Sequence, residues 1–588
     1  MGKHTNECHI DRTGKRVYIS DVRLGIECAR PPRFSKRILS ISTAAMPVTA
    51  PRSNLLTRLL PSLTDLAFLL PIALVYGKLE GARTMLADAG TGWHVRSGEW
   101  ILAHGRVPHS DVFSFTKPGA PWFAWEWLCD VAFGWLHLHW GMAAVVLASV
   151  LALSLTSALL YRLVERACEN VLVAFGVTAL AMMASSIHWL ARPHVFTLLL
   201  TAIFLHILER ARAGRARLLL CLPPLMALWT NLHGGFLAGL ILAATYAAAP
   251  LAKGLISCDD AGRRAEFRRA IPYLAALAAS AAATFMNPYF YRLHAHILQF
   301  LNEPFHFLNI SEFQSLSFQH PAARYFEVLL ILAVCATVWS LRRGQWTYAL
   351  LAASWIHPAL TSSRNIPIFA IVAAAPIGKM VAECLAAASA ARIAKWLRAL
   401  ADFVWSAGSE FRPLETLPRW HATAAAGFLA LAMASFAPDA SAKFKAEFDP
   451  ARFPVKAVDH MGNRLGRTFS NDQWGSYLIY RLYPNGGRVF MDDRSDFYGP
   501  AFDEAWLAVL KGRYDWSAYL DRYAVDTVLL PPDAPLVSTL KESHLWRVVY
   551  DDGVVIVFRA ARDADSEGSQ DEARGGKDLA IARSRIGS

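Results

Sequence analysis

From about residue 60 to residue 437, long apolar runs alternate with short polar or basic turns. A run such as VVLASVLALSLTSALLY, residues 145–161, is almost free of charge. Its length and composition match a helix crossing the hydrocarbon core of a bilayer, which takes roughly 17–25 residues. The pattern predicts eleven spans: 61–77, 141–161, 170–187, 195–208, 218–230, 234–251, 270–286, 325–341, 347–361, 366–383 and 421–437. The fifth is short and carries Pro223 and Pro224, so a broken or tilted helix is expected there. Beyond residue 437 the pattern changes. DTVLLP and GVVIVFRA read as β-strands, RVFMDDRSD as a strand ending in a polar turn, and AFDEAWLAVLKGR and WSAYLDRYA as helices.

The basic residues orient this arrangement. RLVERACEN, ERARAGRAR, AGRRAEFRRA, LRRGQW and the loop holding Arg392, Lys395, Arg398, Arg412 and Arg419 fall on alternate connections. Positively charged loops stay in the cytoplasm, so these five and the N-terminus are expected inside and the other connections outside. An odd number of spans then puts the C-terminal region in the periplasm. The expected fold is a polytopic α-helical membrane protein of about eleven transmembrane helices with a C-terminal soluble α/β domain. Its parts are a basic cytoplasmic leader (1–58) expected to be disordered, a transmembrane domain (59–437) with a large outer loop (78–140), a periplasmic α/β domain (438–562) and a disordered tail (563–588). No signal peptide is visible at the start, and Met46 is an alternative first residue.

Composition adds three exclusions. Of the 588 residues, 54% are hydrophobic and only 18% charged, which rules out a soluble globular protein. The net charge of +12 sits mainly in the short loops, where it encodes topology, so nucleic acid is not an expected partner. The eight cysteines are scattered without CxxC spacing, and neither a disulfide framework nor a zinc site is expected.

The polar motifs collect on the outer side. SSIHWLARPH, WTNLHGG, MNPYFYRLHAH, ISEFQS and IHPALTSSRN lie at the outer ends of spans and carry Arg192, His194, Asn231, His233, Asn287, Glu312, Arg364 and Asn365. Ionisable groups near the membrane plane are costly and usually face a cavity or a partner. Helix caps and interhelical hydrogen bonds are the alternative for any single one. The outer loop supplies acids: Asp88, Asp111, Glu126 and Asp130, with His94 beside them. Asp88 follows the first span closely, in a Gly-rich turn able to aim it inward. EWLCDVAFGWLHLHWG, residues 126–141, reads as an amphipathic helix lying at the interface. In the C-terminal domain, NDQWGSYLIY and MDDRSDFYG concentrate Trp474, Tyr477, Asp492, Asp493, Arg494 and Asp496. Carbohydrate contact and a packed turn with an Asp–Arg pair are both open readings.

The segments DAGTGWHVRSGEWILAHGRVPHSDVFSFT, PWFAWEWL, ARPHVF, WTNLHGGF, NPY, SSRNIP and NDQWGSYLIYRLYPNGGRVFMDDRSDFYG resemble those of a set of bacterial membrane proteins placed in the GT-C glycosyltransferase superfamily. The resemblance covers about residues 55–560. It implies an integral enzyme of the bacterial inner membrane that transfers a hexosyl or pentosyl group from a polyprenyl-phosphate sugar donor. The acceptor would be a glycan, a lipid or a protein, and membrane lipids would surround the site. GT-C enzymes carry a catalytic acid in the first outer loop, and Asp88 matches that position. The chain departs from better-known members in lacking an adjacent acidic pair after the first span. A divalent metal cofactor is therefore left open, with Asp111 and Glu126 as further carboxylates and His94 beside them. Displacing a phosphate from an anomeric carbon needs a base and cations for the leaving group. Arg192 and Arg364, assisted by His194 and His233, are the candidate cations, and Asn231, Asn287 and Asn365 complete the substrate-binding candidates. The rival is a non-catalytic transporter or flippase of lipid-linked glycans, which would also use cationic outer cavities. Against it, no inverted repeat is visible and the cytoplasmic half lacks polar motifs.

Overall fold

The computed structural model describes residues 55–561. Most of the predicted leader and the predicted tail at 563–588 lie outside the described residues. All eleven predicted spans fall on helices. Among the described residues, seven helices are long and apolar enough to cross a membrane: α1 (Thr57–Lys78), α2 (Trp127–Cys168), α3 (Val171–His188), α4 (His194–Arg212), α5 (Gly234–Leu255), α6 (Ala323–Arg342) and α7 (Ser363–Ser389). Two shorter apolar helices, Ala216–Leu232 and Ala422–Phe436, match the fifth and eleventh runs. The helices Asp260–Ala283 and Trp346–Thr361 match the seventh and ninth.

Three local features follow from residue chemistry. Around Pro223 and Pro224 the helix is not broken: a 3-10 stretch (Ala216–Cys221) passes into an α-helix whose first turn holds both prolines, where a missing N–H costs nothing. The predicted interfacial helix and the second span form one 42-residue element, α2, bent where Gly141 adopts φ 70°. Helix α7 is apolar on all sides, and nearly every residue from Ile366 to Gly378 is buried. It packs against α2 and α3 at the centre of the bundle.

In the outer loop a further helix, α8 (Gly90–His104), lies against α2. The two backbones touch through facing glycines. A β-carbon on Gly98 would lie 1.7 Å from the Asp130 carbonyl oxygen, and one on Gly134 would lie 2.5 Å from the Glu99 nitrogen. That close approach brings His94 and Ser97 of α8 onto the Asp130 carboxylate.

The C-terminal domain holds a four-stranded sheet of order β1-β2-β4-β3: β1 (Thr468–Phe469), β2 (Thr527–Leu530), β3 (Trp546–Asp551) and β4 (Ile556–Ala560). β1 runs parallel to β2, and β4 is antiparallel to both β2 and β3. The central β2 and β4 are buried almost throughout, consistent with their continuous apolar runs. The helix Pro535–Glu542 packs against β3, and Asp472–Leu482 packs against α8 of the loop. RVFMDDRSD is not a strand of this sheet. Its backbone is satisfied by the outer loop instead: Val489 N–H donates to Phe113 O (3.0 Å), Phe115 N–H to Val489 O (3.0 Å) and the Thr116 hydroxyl to Phe490 O (2.6 Å).

Candidate active site

The turn before α8 and the turn before α4 are tied together by backbone. Ala191 N–H donates to Met85 O (2.7 Å) and the Thr91 hydroxyl to Ala191 O (3.0 Å). This joins the side chains on either side. Asp88 accepts from Gly90 N–H through Oδ1 (2.7 Å), at the amino end of α8, where the helix dipole favours a negative charge. Its Oδ2 accepts from Arg192 Nη1 at 3.0 Å. The same guanidinium nitrogen lies 3.5 Å from Asp493 Oδ2. Asp493 comes from MDDRSD in the C-terminal domain, and its Oδ1 accepts from Trp93 Nε1 (2.6 Å) and the Ser476 hydroxyl (2.8 Å). Arg192 makes no other side-chain hydrogen bond among the described residues, so its Nε and Nη2 donors remain available. Asp88 and Arg192 keep about a fifth of their side-chain surface open, 20% and 22%.

A buried chain of acids and imidazoles runs beside this triangle. His94 Nδ1 bonds to Asp130 Oδ1 (2.7 Å), and His94 Nε2 faces Glu126 Oε2 at 3.6 Å. Glu126 Oε1 lies 3.3 Å from His233 Nε2. Gly235 N–H donates to His233 Nδ1 (3.0 Å), which assigns the proton of that ring to Nε2, pointing at Glu126. Burial pushes Glu126 up to about 8, with Asp496 and Asp493 acting in the same sense and Arg192 and Arg364 against it. Glu126 therefore carries a proton near neutrality. His94 Nε2 has no hydrogen-bond partner among the described residues, and its ring is held well below the usual histidine range by burial and then by Arg192.

Arg364 forms a second wing. It pairs with Glu312 (3.4 Å) and lies over the Phe313 ring, 4.4 Å from its centroid. Glu312 also meets His188 Nε2 at 3.4 Å. Burial works against the charge on Glu312, yet Arg364 and then His188 hold its carboxyl at about 2. His194 joins this wing indirectly, through a bond from its Nε2 to His188 O (2.9 Å).

The structure thus brings Asp88, Arg192, His94, Glu126 and His233 into one continuous cluster, with Arg364 beside it and His194 behind. The other candidates are held by local bonds. Asp111 is buried against Arg494 (2.8 Å) and Ser114. Asn231 accepts from Trp127 Nε1 (2.7 Å) and donates to Ala227 O and Met286 O. Asn287 closes the turn at 284–290, and Asn365 donates to Pro358 O (3.1 Å). Sequence reasoning left Asp493 out of the site, along with the orienting role of Asp130. The two consecutive aspartates of MDDRSD in fact divide the labour: Asp492 pairs with Arg494 in a packed turn, and Asp493 faces the membrane domain.

A divalent cation would need several oxygen or nitrogen donors converging on one point. Among the described residues no group of three or more His, Cys, Asp or Glu side chains is so arranged. The place between the facing carboxylates of Asp88 and Asp493 is taken by the Arg192 guanidinium. The donor set does not fit such an ion.

No family model matches the chain, and no curated protein matches it in sequence. Solved structures do. The oligosaccharyltransferase of Archaeoglobus fulgidus, tethered to an acceptor peptide, superposes with a TM-score of 0.50 at 12% identity, over 79% of this chain and 68% of that one. The same enzyme with an inhibitory peptide and a dolichol-phosphate gives 0.50 and 12%, over 80% and 69%. ArnT from Cupriavidus metallidurans in the apo state gives 0.39 and 14%, over 84% and 97%. The chain shares the overall fold of the Archaeoglobus fulgidus oligosaccharyltransferase.

Proposed function

We propose that the protein is a membrane glycosyltransferase that moves a sugar from a polyprenyl-phosphate-linked donor to a glycan, lipid or protein acceptor. The observation that carries this reading is the half-open pair of Asp88 and Arg192, a carboxylate and a guanidinium 3.0 Å apart with the Nε–Nη2 edge of the guanidinium free. Transfer requires an acceptor hydroxyl to attack the anomeric carbon while the bond from that carbon to the phosphate oxygen breaks. Asp88 takes the hydroxyl proton, and the electron pair leaves with the lipid phosphate. The free edge of Arg192 matches two phosphate oxygens in a bidentate contact, and Arg364 adds a second positive charge. Glu126, protonated and buried between His94 and His233, is a proton store rather than a base. No step runs through a metal ion.

The alternating basic loops support an outer-face location, at the bacterial plasma membrane, for the C-terminal domain and this site. An alkaline-phosphatase fusion near Ala440 should therefore be active, and a fluorescent GFP fusion there would overturn the orientation. The direct test is purified protein in nanodiscs with radiolabelled decaprenyl-phosphate sugars and a membrane extract as acceptor source. Label should leave the lipid fraction with wild type and stay there with Asp88→Asn. Absence of transfer, with label crossing proteoliposome bilayers instead, favours the flippase reading.

A further inference from the structure

The Asp493 carboxylate belongs to the C-terminal domain but is built into the site of the membrane domain. Its side chain is 8% exposed. Oδ1 is satisfied by Trp93 and Ser476, whereas the buried Oδ2 has no hydrogen bond among the described residues and faces Arg192 Nη1 at 3.5 Å. Asp88 holds the same nitrogen from the other side at 3.0 Å. One corner of the guanidinium is thereby anchored twice, and the opposite edge, Nε with Nη2, is the part left for an anion. An arginine anchored once can rotate about that contact, and a fork that rotates loses its bidentate match to phosphate. The backbone has been kept clear for this arrangement: a β-carbon at Gly90 would lie within 2.9 Å of all three side chains.

We propose that Asp493 is a positioning residue of the transfer centre: as the second anchor of Arg192, it fixes which edge of the guanidinium meets the phosphate of a polyprenyl-phosphate. The C-terminal domain is then part of the site and not an appendage to it. This rests on the lipid-phosphate reading above.

The test uses the full-length protein in nanodiscs with decaprenyl phosphate as probe and decaprenol as the phosphate-free control. Asp493→Asn keeps an oxygen able to accept from Trp93 and Ser476 and turns the oxygen facing Arg192 into an amide NH2, so the charge and the acceptor of the second anchor are lost together. It should weaken decaprenyl phosphate binding about tenfold and leave decaprenol binding unchanged, since one charge-assisted contact is worth roughly that much. Asp493→Asn with Arg192→Ala should bind no more weakly than Arg192→Ala alone. Losses that multiply, or an equal loss for decaprenol, overturn the proposal. Thermal midpoints of the four proteins without lipid give a second arm. Non-additive midpoint shifts support the Asp493–Arg192 anchor whatever the anion, and additive shifts overturn it. Should wild type fail to prefer decaprenyl phosphate over decaprenol while the midpoints stay coupled, the anchor stands and the lipid-phosphate reading falls.

Discussion

Arg494 donates to Asp111 at 2.8 Å across 383 positions of sequence, and both side chains are closed to solvent. Arg494 is also held by Asp492 and sits over the rings of Trp122 and Phe497, so the loop Asp492–Asp496 is pinned to the outer loop at its centre. From that pinned turn, Asp493 reaches the Arg192 turn and Asp496 reaches His296 at 3.0 Å. One short segment therefore registers the C-terminal domain against three parts of the membrane domain. Removing one member of a buried ion pair strands the other charge and costs about 3–5 kcal/mol. Arg494→Met should lower the thermal midpoint markedly and make the C-terminal domain more sensitive to protease. Asp111→Asn should do the same to a lesser degree, and any loss of turnover should follow the loss of folded protein. An unchanged midpoint with abolished turnover would instead make Asp111 a participant in the chemistry.

Asp88→Asn is expected to keep the fold, because asparagine still accepts from the Gly90 N–H, and to lose nearly all transfer. Asp88→Glu should also be impaired, since the extra methylene displaces the carboxylate by roughly an ångström, which positioned catalysis tolerates badly. Turnover by each variant in the radiolabel assay decides this. Wild-type rates in Asp88→Asn would remove it as the base.

How much of this arrangement could be read from the chain depended on distance in sequence. The apolar runs marked the helices of the bundle because a bilayer demands continuous stretches, and alternation of basic loops gave Asp88 and Arg192 the same expected side, where the structure pairs them. Asp493 escaped because its partner lies about three hundred positions away and an Asp-Asp-Arg turn looks the same whether packed or functional. Asn231, Asn287 and Asn365 are the opposite case: each was a candidate for substrate binding, and each is bonded to nearby carbonyls in this structure. At helix ends an asparagine that bonds a nearby carbonyl is indistinguishable in sequence from one that awaits a ligand. Strand β3 was missed because it is an edge strand, half exposed, without the unbroken apolar run of β2 or β4.

Arg192→Ala should reduce turnover on the order of 10²–10³, the usual loss of one preorganised contact to developing charge in a shielded site. Arg192→Lys should recover little of it, because an ammonium is a point charge and cannot bridge Asp88, Asp493 and two phosphate oxygens at once. Comparable rates for the lysine variant and wild type would show that charge alone suffices.

Glu126 gives a pH signature with a definite sign. Its carboxyl is raised by burial to about 8, so folding favours the protonated form, and the folded state binds more protons than the unfolded one between the ordinary carboxylate range and pH 8. The stability due to this group is complete below the unfolded pKa and declines as pH rises through about 8. Activity that needs the proton on Glu126 should fall over the same upper range. Glu126→Gln preserves the neutral shape and cannot titrate, so it should flatten that limb in both the midpoint–pH and the rate–pH curves. If the limb persists in Glu126→Gln, another group sets it.

Gly90 offers the sharpest separation of site from scaffold. It lies at the first turn of α8, where alanine is as good a helix former as any, so propensity alone would make Gly90→Ala neutral or slightly stabilising. The space around it says otherwise. An added β-carbon would stand 2.6 Å from Asp493 Oδ2, 2.9 Å from the Arg192 guanidinium carbon and 2.9 Å from Asp88 Oδ1. All three are ends of side chains, so the helix can survive while the triangle opens. The expected result is a thermal midpoint within a few degrees of wild type and a rate reduced about a hundredfold, in line with losing a preorganised contact. Gly176→Ala is the matched control, since a β-carbon there meets nothing within 4 Å. Full turnover in Gly90→Ala would mean that the three charged groups work without the spacing seen here, and the mechanism built on that spacing would have to be abandoned.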